Sequence, residues 1–346
     1  MNPPAANLID LYVHSRYCTD IMKRKNHLLL ILILLVSGMS FSCDDDDDSF
    51  DEEIDENAAK MQIFVEDISK YARTLKSNFI IIPQNGAELA FNNTEPDDGI
   101  RNSYINAING IGIEELFYDG SLQIDNERLA MLRKIKTSAP LIKIMVSDFV
   151  SNNANVANAV TRSKDEGFIS FPRSNENYDY LLIPSNITDE NTKDIEKLSD
   201  AENYLYLISS DNYSGKQAML DAIKAANYDI VLIDLFFEEA VLTSTEIQSL
   251  KIKANGGKRL VIAYISIGSA EKYRYYWQAG WKKGSPSWLK KSYSGYPDEF
   301  WVQFWNPEWQ NIIFGNNDSY IKKIIDAGFD GAYLDNVEAY YFLVSD

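Results

Sequence analysis

Eight short apolar runs recur along the chain, and the amphipathic stretches between them constrain the fold more than any other feature. The runs are FIIIPQNG (79–86), GIGIEELFYDG (110–120), LIKIMVSDF (141–149), a weaker one within 168–184 (FISFPR or YDYLLIP), NYLYLIS (203–209), YDIVLIDLFF (228–237), RLVIAYISIG (259–268) and FDGAYLD (329–335). Several are apolar throughout, as strands buried on both faces must be. Stretches such as AKMQIFVEDISKYARTLK, NERLAMLRKIK, GKQAMLDAIKAAN and SYIKKIIDAG carry helical periodicity between them. Eight strands alternating with helices predict an α/β chain built as a (β/α)8 TIM barrel over residues 60–346. A doubly wound open sheet is the alternative, because periodicity alone does not close a barrel.

Elimination narrows the chemistry. Both histidines (His14, His27) and both cysteines (Cys18, Cys43) lie in the first 43 residues. The remainder has no imidazole and no thiol, so Ser-His-Asp triads, cysteine nucleophiles and His- or Cys-ligated metals are excluded there. No GxxxxGK[ST] or GxGxxG stretch supports nucleotide binding. Acid–base work falls to carboxylates, with Tyr or Lys as weaker candidates. A formal charge of −18 argues against nucleic acid, whose binding needs Lys and Arg, and suits a cationic ligand.

The polar residues at the strand exits are Gln84 and Asn85, Glu114 and Glu115, Ser147 and Asp148, Ser209, Asp234, Tyr264 and Ser266, and Asp335. One such residue is ordinarily a helix cap. Polar groups at nearly every exit predict a carboxylate-rich mouth instead, since barrel strand ends converge on one rim. All six tryptophans fall within 277–309, interleaved with tyrosines and with the loop-like KKGSPSWLKKSYSGYPDE. Part of 301–309 has helical spacing and belongs to a core; the rest suggests a rim platform for stacking on sugar faces.

Residues 1–42 read as a targeting segment. From Met22 the chain runs MKRKNHLLLILILLVSGMSFSC, with an apolar stretch from Leu28 to Val36 that is too short to span a bilayer. It resembles a bacterial lipoprotein signal, with cleavage before Cys43 and lipid on its sulfur. The acidic run from Asp44 to Glu56 predicts a self-repelling, disordered tether over 43–59 and resembles a surface-export signal. The expected address is the outer membrane, exposed at the cell surface, with the Cys43 lipid as membrane partner.

Five segments together carry a family resemblance over nearly all of 60–346: YISIGSAEKYRYYW, FWVQFWNPEWQNIIFG, AGFDGAYLDNVEAY, ISKYARTLKSNFIIIPQNGAEL and INGIGIEELFYDG. They resemble the endo-α-1,4-polygalactosaminidase-like glycoside hydrolases, glycoside hydrolase family 114 and relatives. The resemblance implies a cofactor-independent TIM barrel that cuts α-linked galactosaminyl polysaccharide, a polymer whose free amines would suit an acidic mouth. It marks Asp335 and Glu114 as the catalytic pair. By analogy with other α-retaining barrels, Asp335 is the expected nucleophile and Glu114 the acid/base, with a raised pKa required of Glu114. Asp234, Tyr264, Glu271, Arg274, Gln84, Asn85, Tyr118 and Asp148 are the expected sugar-binding residues, although Arg274 and Glu271 could pair with each other. Two departures stand out: the usual GEAE reads GSAE, with Ser269 in place of the first Glu, and Glu115 replaces the Asp of EDLFY. The segment order also departs. The YAR–PQNG–EELFY half precedes the half that ends in YLD, which predicts a circular permutation. In that case strand 329–335 pairs with strand 79–86, and Asp335 faces Glu114. A surface glycan-binding lipoprotein with a silent barrel, or a glycosidase for another α-linked glycan, would share these features.

Overall fold

The computed structural model describes residues 45–174 and 180–344, so the targeting segment and Cys43 lie outside the described residues. In chain order the elements are α1 (Asp45–Leu75), β1 (Ile80–Pro83), α2 (Asn102–Ala107), β2 (Gly110–Leu122), α3 (Asn126–Ser138), β3 (Lys143–Val150), α4 (Val156–Asp165), β4 (Ile169–Ser170), β5 (Tyr204–Leu207), α5 (Lys216–Lys224) and β6 (Ile230–Asp234). A hairpin of β7 (Phe236–Phe237) and β8 (Ala240–Val241) follows, then α6 (Ser244–Leu250), β9 (Leu260–Ser266), β10 (Ser269–Glu271), β11 (Leu289–Ser292) and β12 (Glu299–Val302). The chain continues through α7 (Pro307–Ile313), α8 (Tyr320–Asp326), β13 (Gly331–Asp335) and α9 (Ala339–Phe342). No helix among the described residues is long and apolar enough to cross a membrane.

Each expected apolar run contains a parallel strand. β5, β6, β9, β13 and β1 form one sheet in that order, and β2, β3 and β4 form another. A parallel bridge between Gln84 and Gly112 joins β1 to β2, and the Asn85 N–H donates to the Gly112 carbonyl at 2.7 Å. The last strand pairs with the first: Ile80–Pro83 lie in register with Gly331–Leu334. Across the eight strands the spatial order therefore follows chain order in one direction, without the reversal that a doubly wound sheet requires. Among the described residues no strand pairing joins β4 to β5. At that seam the Tyr180 carbonyl accepts the Ile208 N–H at 3.1 Å, and the Phe171 and Tyr204 rings lie 5.6 Å apart.

The acidic tether expected over 43–59 is corrected by α1, which begins at Asp45. Ile54, Ala58, Met61, Val65, Ile68 and Ala72 follow one another at intervals of three and four and are all buried. Such a stripe continues the helix N-terminally because its burial outweighs the repulsion on the opposite face. Folded structure thus begins ahead of residue 60.

One close approach sets the geometry of the mouth. A Cβ on Gly112 would sit 1.7 Å from the Tyr333 hydroxyl, so the phenol of β13 occupies the space that a side chain on β2 would fill. Side chains two apart on a strand share a face. Glu114 follows Gly112 and Asp335 follows Tyr333, so this contact holds both carboxyls toward the same interior. Gly112→Ala should displace Tyr333 and cost ~2 kcal/mol in urea unfolding, in the range of core overpacking. An unchanged midpoint would show that the ring is not seated there.

Candidate active site

At the C-terminal ends of the parallel strands lies a cavity of about 1030 Å³. Gln84, Asn85, Glu114, Asp234, Tyr264, Glu271, Arg274 and Asp335 all line it. Below the two central carboxyls is a layer of buried tyrosines. The Tyr264 hydroxyl donates to Asp335 Oδ2 at 2.5 Å, and the Asn336 backbone N–H donates to Oδ1 at 2.7 Å. The Tyr180 hydroxyl donates to Glu114 Oε1 at 2.6 Å, while the Glu114 N–H is held by Asn85 Oδ1 at 3.1 Å. Tyr206 donates to Gln84 Oε1 at 2.9 Å and stacks on Tyr180.

Burial pushes the Asp335 carboxyl up to about 7, with the charge of Glu114 adding to the effect and the bonds from Tyr264 and Asn336 opposing it. The raised pKa thus falls on Asp335, the carboxyl expected as nucleophile. The reason is physical: the strand exit buries Asp335 and places the Glu114 carboxylate near it.

Arg274 is not a free ligand for sugar. It grips Asp234 through Nη1 at 2.9 and 2.7 Å, and its Nε reaches Glu271 Oε2 at 2.6 Å. Burial alone would lower the guanidinium pKa, but the two carboxylates hold it above its ordinary value. Burial also raises Asp234, against the pull of Arg274. The pairing of Arg274 with Glu271 considered above is therefore present, and Asp234 completes a buried triad along one wall.

Tyr118 and Asp148 stand outside the cavity. After Glu114, β2 leaves register with β3 and regains it only at Asp119; Glu115 takes a φ of 55° in the bulge. Asp148 is fully buried, and its Oδ1 accepts the N–H groups of Phe117 (2.9 Å) and Tyr118 (3.3 Å), pinning that bulge. Its burial pushes it up to about 6. Tyr118 turns outward and donates to Asn158 of α4 at 2.8 Å. Glu115 pairs with buried Arg173. The bulge reverses the alternation of β2 beyond Glu114 and so turns Tyr118, whereas on β3 Ser147 lies opposite Glu114 and Asp148, its neighbour, faces the other side.

The aromatic segment divides as well. β10, β12 and β11 form an antiparallel sheet on the exit side of β9. Trp288 and Trp309 are buried in the core and Trp277, Trp281 and Trp305 pack against it. Facing the cavity are Tyr293, Trp301 and Phe342, stacked in series with centroids 4.3 and 4.4 Å apart, beside Tyr296. The sequence reading missed Tyr180, Asn336, Glu338 and Glu299. Tyr180 and Glu299 approach from loops and the added sheet, where no strand-exit pattern exists. Asn336 had one signal: it follows Asp335 at a φ of 60°, a conformation that Asn tolerates.

Asp335 supplies a stability test. Its folded pKa lies above its ordinary value, so the stability it contributes is present at low pH and is lost as pH rises through about 7. Asp335→Asn stays neutral throughout. The variant should exceed the parent by ~2 kcal/mol at pH 8.5, with the difference shrinking toward pH 4. Chemical denaturation at both pH values checks it, and a pH-independent difference would contradict the assignment.

An uncharacterized protein of Deinococcus radiodurans is 37% identical over 124 residues, covering 36% of this chain and 38% of that protein. An uncharacterized protein of Methanocaldococcus jannaschii is 34% identical over 178 residues (51% and 49%), and one of Thermotoga maritima 32% over 120 (35% and 36%). The matched stretches span less than half the length of these relatives. Asp234, Tyr264, Glu271, Arg274 and Asp335 all fall within residues 187–346, a stretch of less than half the chain that matches the model of glycoside-hydrolase family GH114.

Proposed function

We propose that the protein is a glycoside hydrolase that cleaves α-linked galactosaminyl polysaccharide through Asp335 and Glu114. The observation that carries this reading is the pair itself. Two carboxyls from separate strands line one cavity, each held by a single phenol, and the charge of one raises the pKa of the other. Glycosidic cleavage needs such a pair. Asp335, ionised, attacks the anomeric carbon while Glu114 gives its proton to the departing oxygen; Glu114 then takes a proton from the water that releases the sugar. The cavity carries eight carboxyl and two cationic side chains among the described residues, one of them the neutralised Arg274, which favours a cationic chain over a neutral one. The family match over 187–346 supports the reaction class.

One observation favours the reverse roles. The carboxyl held up to about 7 is Asp335, and a raised pKa suits a general acid. An aryl glycoside with an activated leaving group separates the two, because it needs no acid. The proposed roles predict that Glu114→Gln keeps most of its kcat/KM on that substrate, with kcat limited by release of the sugar, while Asp335→Asn loses both; the reversed outcome would exchange the roles.

The pairing of β13 with β1 and the one-directional strand order support a barrel entered at a shifted point in its cycle, as the segment order suggests. Lipidation at Cys43 and an outer-membrane address are proposed from the sequence alone, and metabolic labelling with a tagged fatty acid, lost in Cys43→Ala, tests them.

Purified protein should shorten polygalactosamine, and Asp335→Asn and Glu114→Gln should each lose on the order of 10³-fold or more in kcat. Binding without shortening would leave a glycan-binding barrel, and activity on other α-linked glycans alone would change the substrate. With Asp335 as nucleophile, kcat/KM should rise with pH through about 7, the value of the free enzyme.

A further inference from the structure

Glu299 opens β12 directly opposite Glu271 of β10 in the antiparallel register. Like charges placed opposite each other across strands destabilise a sheet, so this pair needs compensation. Glu271 has it in Arg274, whose Nε lies 2.6 Å from Oε2. Glu299 has no ion pair among the described residues. Its Oε1 accepts from the Ser269 hydroxyl and from Asn336 Nδ2 at 3.2 Å. Its Oε2 takes part in no hydrogen bond among the described residues, and the side chain lines the cavity. The same Asn336 that holds Glu299 donates its backbone N–H to Asp335 Oδ1 at 2.7 Å, and its Nδ2 is also shared with Ser266 (2.9 Å) and Ser269 (3.0 Å). One residue thus fixes both carboxyls, and Glu299 lines the same cavity as Asp335 with Oε2 outside that hydrogen-bond network.

We propose that Glu299 is the specificity residue of this cavity: its Oε2 takes the ammonium group of a substrate amino sugar seated against Asp335. The assignment rests on the amino-sugar reading above and adds which residue reads the charge and how. Ser269 fits this arrangement, because a larger side chain there would occupy the place from which its hydroxyl meets Glu299.

Binding through Glu299 has a proton cost. Burial first, then the charge of Glu271, push its carboxyl up to about 8, with Asp335 adding to the effect and Ser269 and Arg274 opposing it; the phenols of Tyr264, Tyr273, Tyr276 and Tyr293 also surround it. Near neutral pH the carboxyl therefore holds its proton more tightly than an exposed glutamate does. An incoming ammonium converts it to a carboxylate, and the displaced proton leaves to the buffer. An N-acetylated sugar has no charge to offer and releases none through this residue.

Isothermal titration at pH 7 in two buffers of different ionisation enthalpy counts those protons. Glu114→Gln prevents turnover and is titrated with galactosamine oligomers and with N-acetylgalactosamine oligomers of equal length, then compared with Glu114→Gln/Glu299→Gln. The expected result is that adding Glu299→Gln lowers proton release with the galactosamine oligomer and weakens its binding about tenfold, while binding of the acetylated oligomer is unchanged and reports an intact fold. Equal proton release in both variants, or equal weakening of both oligomers, overturns the assignment. Failure of Glu114→Gln to bind galactosamine oligomers overturns both this assignment and the substrate class. Tight binding without shortening by the parent protein overturns only the hydrolase reading.

Discussion

The contact between the Tyr333 hydroxyl and Gly112 is the constraint on which the mouth depends. β1 lies between the two strands that make it, paired to β13 on one side and bridged to β2 on the other. For a phenol on β13 to reach the backbone of β2 across β1, the sheet must curl inward at this place. The curl is what aims Glu114 and Asp335, each two residues further along, into a shared interior and not along parallel lines. A flat sheet would present the same residues as unrelated strand ends. The tyrosine layer extends the logic, since Tyr206 meets Tyr333 edge-on, stacks on Tyr180, and through Tyr180 supports Glu114.

Packing so many carboxyls into one space is electrostatically costly, and the protein handles it in two distinct ways. Along one wall Arg274 neutralises Asp234 and Glu271 together, leaving all three ordered but largely unavailable for ligand. Neither Asp335 nor Glu299 has an ion pair among the described residues, and burial with neighbouring carboxylates keeps their protons on further up the pH scale. The first arrangement is finished; the second is poised. Groups held poised by burial and like charge are the ones that a bound cation can change.

Legibility from sequence followed the regularity of the backbone. The parallel strands were readable because each is an apolar run bounded by helical pattern, and the residues at regular exits (Gln84, Asp234, Tyr264, Asp335) reached the cavity as alternation requires. Where the backbone departs from regularity the reading failed. The bulge at Glu115 sent Tyr118 outward, and Asp148, on the opposite face of β3 from Ser147, braces that bulge. The acidic start of α1 hid a helical stripe whose first member, Ile54, lies amid charges that suggested disorder. Glu299 was invisible because its position depends on the antiparallel register of β10 with β12, a long-range pairing within a loop rich in Gly, Pro and Ser. The tryptophan cluster announced itself in composition, but composition does not say which faces point inward, and most of the rings serve the core.

The two central carboxyls are held differently, and the difference bears on their roles. Asp335 takes a phenol on one oxygen and a backbone N–H on the other, so both lone-pair faces toward the protein are occupied and the group is fixed in place. Glu114 is restrained through one oxygen by Tyr180, which itself exchanges a hydrogen bond with Ser147, and its second oxygen is left to the cavity. A nucleophile benefits from immobility, because attack needs alignment and little else. An acid/base must swing between a departing oxygen and an incoming water, which a single anchor permits. The raised pKa of Asp335 opposes this division only in the empty cavity. Under the proposed roles, a cationic sugar bound beside it would favour the ionised form, so the substrate itself would complete the charge state that a nucleophile needs.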